Sequence, residues 1–146
     1  MTQSEAQGRS KLLGPLAVTG VLALAGMLAW STFGQDVRFC KRVFAGLVTG
    51  DQSVRKMIDW SHFIALDTDV GAVYAQLPKS EQLLYQQAFV RNFSLGFAAS
   101  KADPSAFTNW RVQENGTVAV DYPAKNKVVI FKLSENGKQV VGLVWK

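Results

Sequence analysis

The chain has one cysteine, Cys40, and one histidine, His62. A single thiol excludes an intrachain disulfide and any cysteine-based metal cluster. There is no glycine-rich phosphate loop, no serine or cysteine nucleophile signature and no clustered metal ligands. Asp67 and Asp69 form an Asp-x-Asp pair, but a hard cation needs more oxygen ligands than two. Lysine and arginine number 16 against 11 acidic residues, a net charge of +5. The charges are interspersed, with Lys125, Lys127 and Lys132 among Asp121 and Glu135, so no basic stripe marks a nucleic-acid face. These absences leave no metal, cofactor or nucleic acid to expect.

What the sequence does have is a long uncharged run at residues 12–35, closed by Lys11 and Asp36. As a helix, residues 12–33 span about 33 Å at ~1.5 Å per residue, enough for a hydrocarbon core of roughly 30 Å. Leu12 opens this stretch, and Pro15 fits a first helical turn. Trp30 and Phe33 fall where an interfacial aromatic belt lies. The alternative is a cleaved signal, with Arg9 and Lys11 as its basic start and Ala23-Leu24-Ala25 as its cleavage box. The apolar stretch continues past that box, which favours a retained anchor. Arg38, Lys41 and Arg42 on the far side leave the orientation open, because large domains translocate largely regardless of nearby charge. The expected setting is a single-pass protein of the bacterial inner membrane, with the bilayer as its first partner and the C-terminal domain periplasmic or extracytoplasmic.

The chain therefore divides into a polar tail at 1–11, a span at 12–33, a joint at 34–35 and one domain at 36–146. Val37, Cys40, Phe44, Leu47 and Val48 recur at three- and four-residue steps, one face of an amphipathic helix. That spacing puts Cys40 on the apolar face, where a buried thiol is the default. Gly50 stops this helix and Asp51 can cap the next, which carries Val54, Met57 and Ile58. A third short helical piece is expected at residues 61–66, and residues 67–77 look irregular. The longest helix is expected at about residues 81–100, striped by Tyr85, Phe89, Phe93 and Phe97 at fourfold steps.

From Phe107 the period changes from 3.6 to 2, and four strands follow. Glu-Asn-Gly occurs twice, at 114–116 and 135–137. A three-residue loop with glycine left-handed sets Val112 opposite Val118 and Trp110 opposite Val120. In the second hairpin it sets Phe131 opposite Val141 and Val129 opposite Leu143. The fold class is α+β: about three helices packed on a curved antiparallel sheet, with a four-stranded C-terminal meander.

Phe44-x-x-Leu47-x-x-Gly50-Asp51, together with Glu135-Asn136-Gly137-Lys138 before the closing strand, resembles the nuclear transport factor 2-like superfamily. The resemblance implies a cone, often with a pocket at its wide end, and covers residues 36–146. The weak strand signal between the second and third helices departs from that pattern, since many members place a hairpin there. Some enzymes of that superfamily use Asp or His for proton transfer, which makes Asp59 and His62 the candidate acid–base pair. Three apart, they would share a helix face.

Three functions follow as expectations. The first is a non-enzymatic, membrane-anchored domain that binds or assembles with other envelope proteins or with copies of itself. The second is carriage of a small apolar ligand in a pocket lined by Tyr85, Phe89, Phe93 and Phe97. The third is an isomerase- or dehydratase-like enzyme using Asp59 and His62.

Overall fold

The computed structural model describes residues 34–146. The polar tail and the span, with Leu12, Pro15, Trp30 and Phe33, lie outside the described residues. Among the described residues no helix is long and apolar enough to cross a membrane. Asp36–Lys146 forms one compact unit.

Helix α1 occupies residues 34–49. Gly34 and Gln35, expected as a joint, are helical. The helix buries Cys40, Val43, Phe44 and Leu47 and turns Arg38, Lys41 and Arg42 to solvent, as the 3.6-residue spacing demands. Gly50 ends it at φ 73°, a conformation that costs glycine little. Asp51 then caps a 3-10 turn, Gln52–Met57, by accepting a 2.9 Å hydrogen bond from the Ser53 amide.

The helical piece expected at 61–66 is instead a turn followed by strand β1, Ile64–Ala65, which pairs antiparallel with β2, Thr68–Asp69. Helix α2, Val70–Gln76, follows directly. The seven-residue helix was missed because Asp69, whose carboxylate accepts from the Ala72 amide at 3.0 Å, is a cap without a long apolar period behind it. Helix α3, Lys79–Ala99, buries only Val90.

Strands β3 (Thr108–Val112), β4 (Val118–Tyr122), β5 (Lys127–Leu133) and β6 (Val140–Trp145) form the expected antiparallel meander. The sheet is larger than expected: six strands in the order β2-β1-β6-β5-β4-β3. It is mixed, not antiparallel throughout, because β1 lies parallel to β6.

The first hairpin has the expected Val112–Val118 pair with Gly116 left-handed. A bulge between Thr108 and Arg111 then shifts the register, so Trp110 does not pair simply with Val120. The second hairpin pairs Phe131 with Leu143 and Val129 with Trp145, two residues from expectation. Its connection is the longer 134–139 loop, because the Ser134 amide donates to the Gln139 carbonyl at 2.8 Å and Asn136 Oδ1 takes the Lys138 amide at 3.0 Å. A slip of two keeps each side chain on its own face, so Val129, Phe131 and Leu143 stay in the core, but a bulge between Lys132 and Leu133 shifts the register by one near the loop and buries Val140 in place of the expected Val141.

One apolar cluster joins α1, the 3-10 turn, β1 and the inner face of the meander. Rings knit it together. Phe44 meets Phe97, Phe107 and Trp110 with centroids 5.9, 4.8 and 5.8 Å apart. Phe89 of α3 meets Trp60 and Phe63 edge-on at 5.5 and 5.7 Å. Edge-to-face pairs add about 0.5–1.5 kcal/mol each beyond buried area.

Candidate functional site

Two places were singled out by sequence, and they lie on different features. The first is the acid–base pair. His62 Nδ1 is 2.9 Å from Asp59 Oδ2, and the Ser61 hydroxyl donates to Asp59 Oδ1 at 2.9 Å. The contact arises from a turn closed by the His62 amide on the Asp59 carbonyl, not from a helix. Partial burial raises the Asp59 carboxyl, but hydrogen bonds from His62 and Ser61 and the His62 charge outweigh it and hold the carboxyl below its usual range. The side chain of His62 is 74 % exposed and that of Asp59 24 %. A carboxylate held below its usual pKa range is a weak proton acceptor at neutral pH.

The second place is a cavity of about 380 Å³. One wall is the C-terminal half of α3, through Asn92, Phe93, Gly96, Phe97 and Ser100. Tyr122 and Phe107 form the floor, stacked at 4.3 Å with planes 7° apart. Leu66 and Trp145 close another side, and Lys125 stands at the rim. Neither Asp59 nor His62 lines it. No carboxylate does. A shallower hollow beside it is lined by Tyr85, Ala88, Phe89, Asn92 and Phe93, so the two share Asn92 and Phe93. All four ring positions of the α3 stripe therefore border one hollow or the other. They are half-buried, with one edge against the core and one free.

Register explains why the floor is apolar. Val118, Val120 and Tyr122 point to one face of β4, and Leu143 and Trp145 share that face on β6. At the sheet's end the core runs out of facing helix, so Trp145 remains 39 % exposed.

The backbone around this cavity is unusual. Four non-glycine residues among those described have positive φ: Leu66, Lys101, Asn109 and Asn126. Leu66 lines the cavity, Lys101 lies between the lining residues Ser100 and Ala102, and Asn126 follows Lys125. Asparagine tolerates this region, but for leucine and lysine it costs about 1–2 kcal/mol each. Leu66 sits in the two-residue turn between β1 and β2, where glycine or asparagine is the ordinary choice. Sequence reasoning missed Leu66, Phe107, Tyr122, Lys125 and Trp145 as site residues. A leucine following a strand and preceding Asp67 carries no local signal, and only sheet closure brings these residues beside α3.

Among the described residues no group of three or more His, Cys, Asp or Glu side chains could hold a metal ion. Asp69 is occupied by its cap and Asp67 is exposed. Comparison with family models, curated proteins and solved structures finds no match to the chain.

Proposed function

We propose that Asp36–Lys146 is a non-enzymatic binding domain, and that its site is the aromatic cavity between α3 and the end of the sheet. The observation that carries this is the lining: five rings and a leucine around about 380 Å³, without a carboxylate or histidine. Ligand sites are concave, mostly apolar and furnished with few polar groups, and this cavity fits that description. The strained Leu66 adds weight, because a strained conformation persists where the surrounding structure over-determines it and such residues gather at ligand clamps. In this reading the domain is of the nuclear transport factor 2-like kind, supported by helices on a sheet that ends in a long meander. The run at residues 12–33 holds it at the bacterial inner membrane, where apolar molecules concentrate.

The test is fluorescence of an environment-sensitive naphthylamine added to the full chain. Binding that disappears in Phe97→Ala and Phe93→Ala, while Leu95→Ala keeps it, supports the reading. Equal binding in all three would end it.

Assembly with other envelope proteins or with further copies is the second reading. Its support is three leucines of α3, Leu83, Leu84 and Leu95, that are 52, 65 and 62 % exposed and would gain cover from a partner. Crosslinking in native membranes would test it, and recovery of monomer alone would remove it.

A further inference from the structure

Apart from its rings, the cavity has an asymmetric rim. Lys125 is the one charged residue among those lining it, and the remaining polar lining comes from Asn92 and Ser100. Lys125 is positioned by tight backbone: it ends the 3-10 turn Pro123–Lys125, and Asn126 closes the turn at φ 52° with its amide donating to the Pro123 carbonyl at 3.0 Å. That turn springs directly from Tyr122, the cavity floor. A second lysine, Lys101, lies between two lining residues. Neither acid near them in sequence lines the cavity: Asp103 accepts from the Ser105 amide at 2.8 Å, and Asp121 pairs with Arg111 and Asn109 at 2.8 and 2.9 Å.

Volume sets the second limit. At roughly 30 Å³ per water-sized group, about 380 Å³ takes on the order of a dozen non-hydrogen groups. That is one medium-length chain; the second chain of a diacyl lipid would have to lie outside the cavity. An apolar interior with a lone cation at its mouth selects a tail with a negative head, because the ammonium stem lies along apolar surface while its charge stays in water.

Resting on the reading of the cavity as the binding site, we infer that its ligand is a single-chain amphipathic acid of about ten carbons. The tail lies against Phe93, Phe97 and Trp145, and the carboxylate meets Lys125 at the rim.

The test uses the full chain in nanodiscs of neutral phosphatidylcholine, photolabelled with a diazirine-bearing octanoate and mapped by peptide mass spectrometry. Label is expected on the segments holding Phe93, Phe97 and Trp145. Decanoate should displace it about two- to fivefold better than decanol, the range of a partly exposed ion pair. In Lys125→Glu that preference should vanish or pass to decylamine. Gly96→Leu adds bulk to the cavity wall, since Gly96 lines the cavity and a Cβ there has open space around it, and should reduce labelling by octanoate and octanol probes alike. Equal displacement by decanoate and decanol, or a preference unchanged in Lys125→Glu, would overturn the acid while leaving the cavity as an apolar site. Labelling elsewhere by both probes, unaffected by Gly96→Leu, would overturn the cavity itself. A phosphatidylglycerol probe that labels these segments more strongly than octanoate would overturn the single-chain ligand.

Discussion

Helices α1 and α3 carry similar amounts of apolar sequence and end in opposite conditions. Four apolar side chains of α1 disappear into the core, with its charges on the far side. The longer α3 buries Val90 alone, leaves its ring stripe half-covered and exposes Leu83, Leu84 and Leu95. The difference lies in what faces each helix. The 3-10 turn and the meander enclose α1, and Gly46 sits so close to Val54 that a Cβ there would be 2.9 Å from the valine's. The face of α3 is covered only in part: Phe89 and Phe97 reach rings of the core, while two hollows border the same stripe. One helix stabilises the fold, while the other stabilises less and offers a surface.

The sharpest way to break this contrast is to truncate a leucine on each. Leu47→Ala removes a buried side chain and should cost about 2–5 kcal/mol, whereas Leu95→Ala should stay within about 0.5 kcal/mol. Similar shifts in denaturation midpoint would show that α3 is covered after all. Cys40 reads the same helix chemically. Burial, with a contribution from Asp36, pushes its thiol up to about 12, so thiol reagents should modify it only at the rate of unfolding. Fast labelling under native conditions would mean α1 opens readily.

Gly46→Ala sharpens the α1 side. The clash with Val54 is an overpacking cost of about 1–3 kcal/mol, and Val54→Ala in the same chain should recover part of it. Simple additivity in that double-mutant cycle would mean the two residues do not touch. On the α3 side, Lys101→Gly relieves the left-handed backbone just after the helix and should stabilise by about 1 kcal/mol, offset in part by glycine's freedom in the unfolded chain. A destabilisation would mean that the lysine side chain makes contacts worth more than the strain.

The smallest effect belongs to the turn whose Trp60 packs on Phe89. Asp59 is held below its usual 3.8, so its contribution is present above that pH and lost as pH falls through the lower folded value. His62→Ala should therefore cost no more than about 0.5 kcal/mol near neutrality, and its acid-unfolding curve should meet that of the unaltered chain once Asp59 is protonated. A gap that widens in acid would show a different partner at work.

Local chemistry was legible wherever a signal was short-range. The α1 face, the Gly50 stop, the Asp51 cap and the Val112–Val118 register came from spacing and turn chemistry within a few residues. The Tyr85–Phe97 stripe was also legible, but its half-covered state was not, because periodicity states which residues share a face and says nothing of how far the opposing surface extends. Strands of two residues, such as Ile64–Ala65, are too short to show a period. Their pairing with β6 joins positions far apart in the chain, so a parallel neighbour left no mark near them.

The sequence by itself determined the helical faces and the change to period two after Phe107, since these depend on each residue's neighbours. Tertiary structure alone decided the six-stranded order, the bulge beside Trp110, the separation of Asp59 and His62 from the cavity and the arrival of Leu66 and Lys125 at its mouth. The physical reason is reach. Hydrogen-bonded turns and caps act over three or four residues, whereas a cavity is the space left when distant elements meet and one of them ends first.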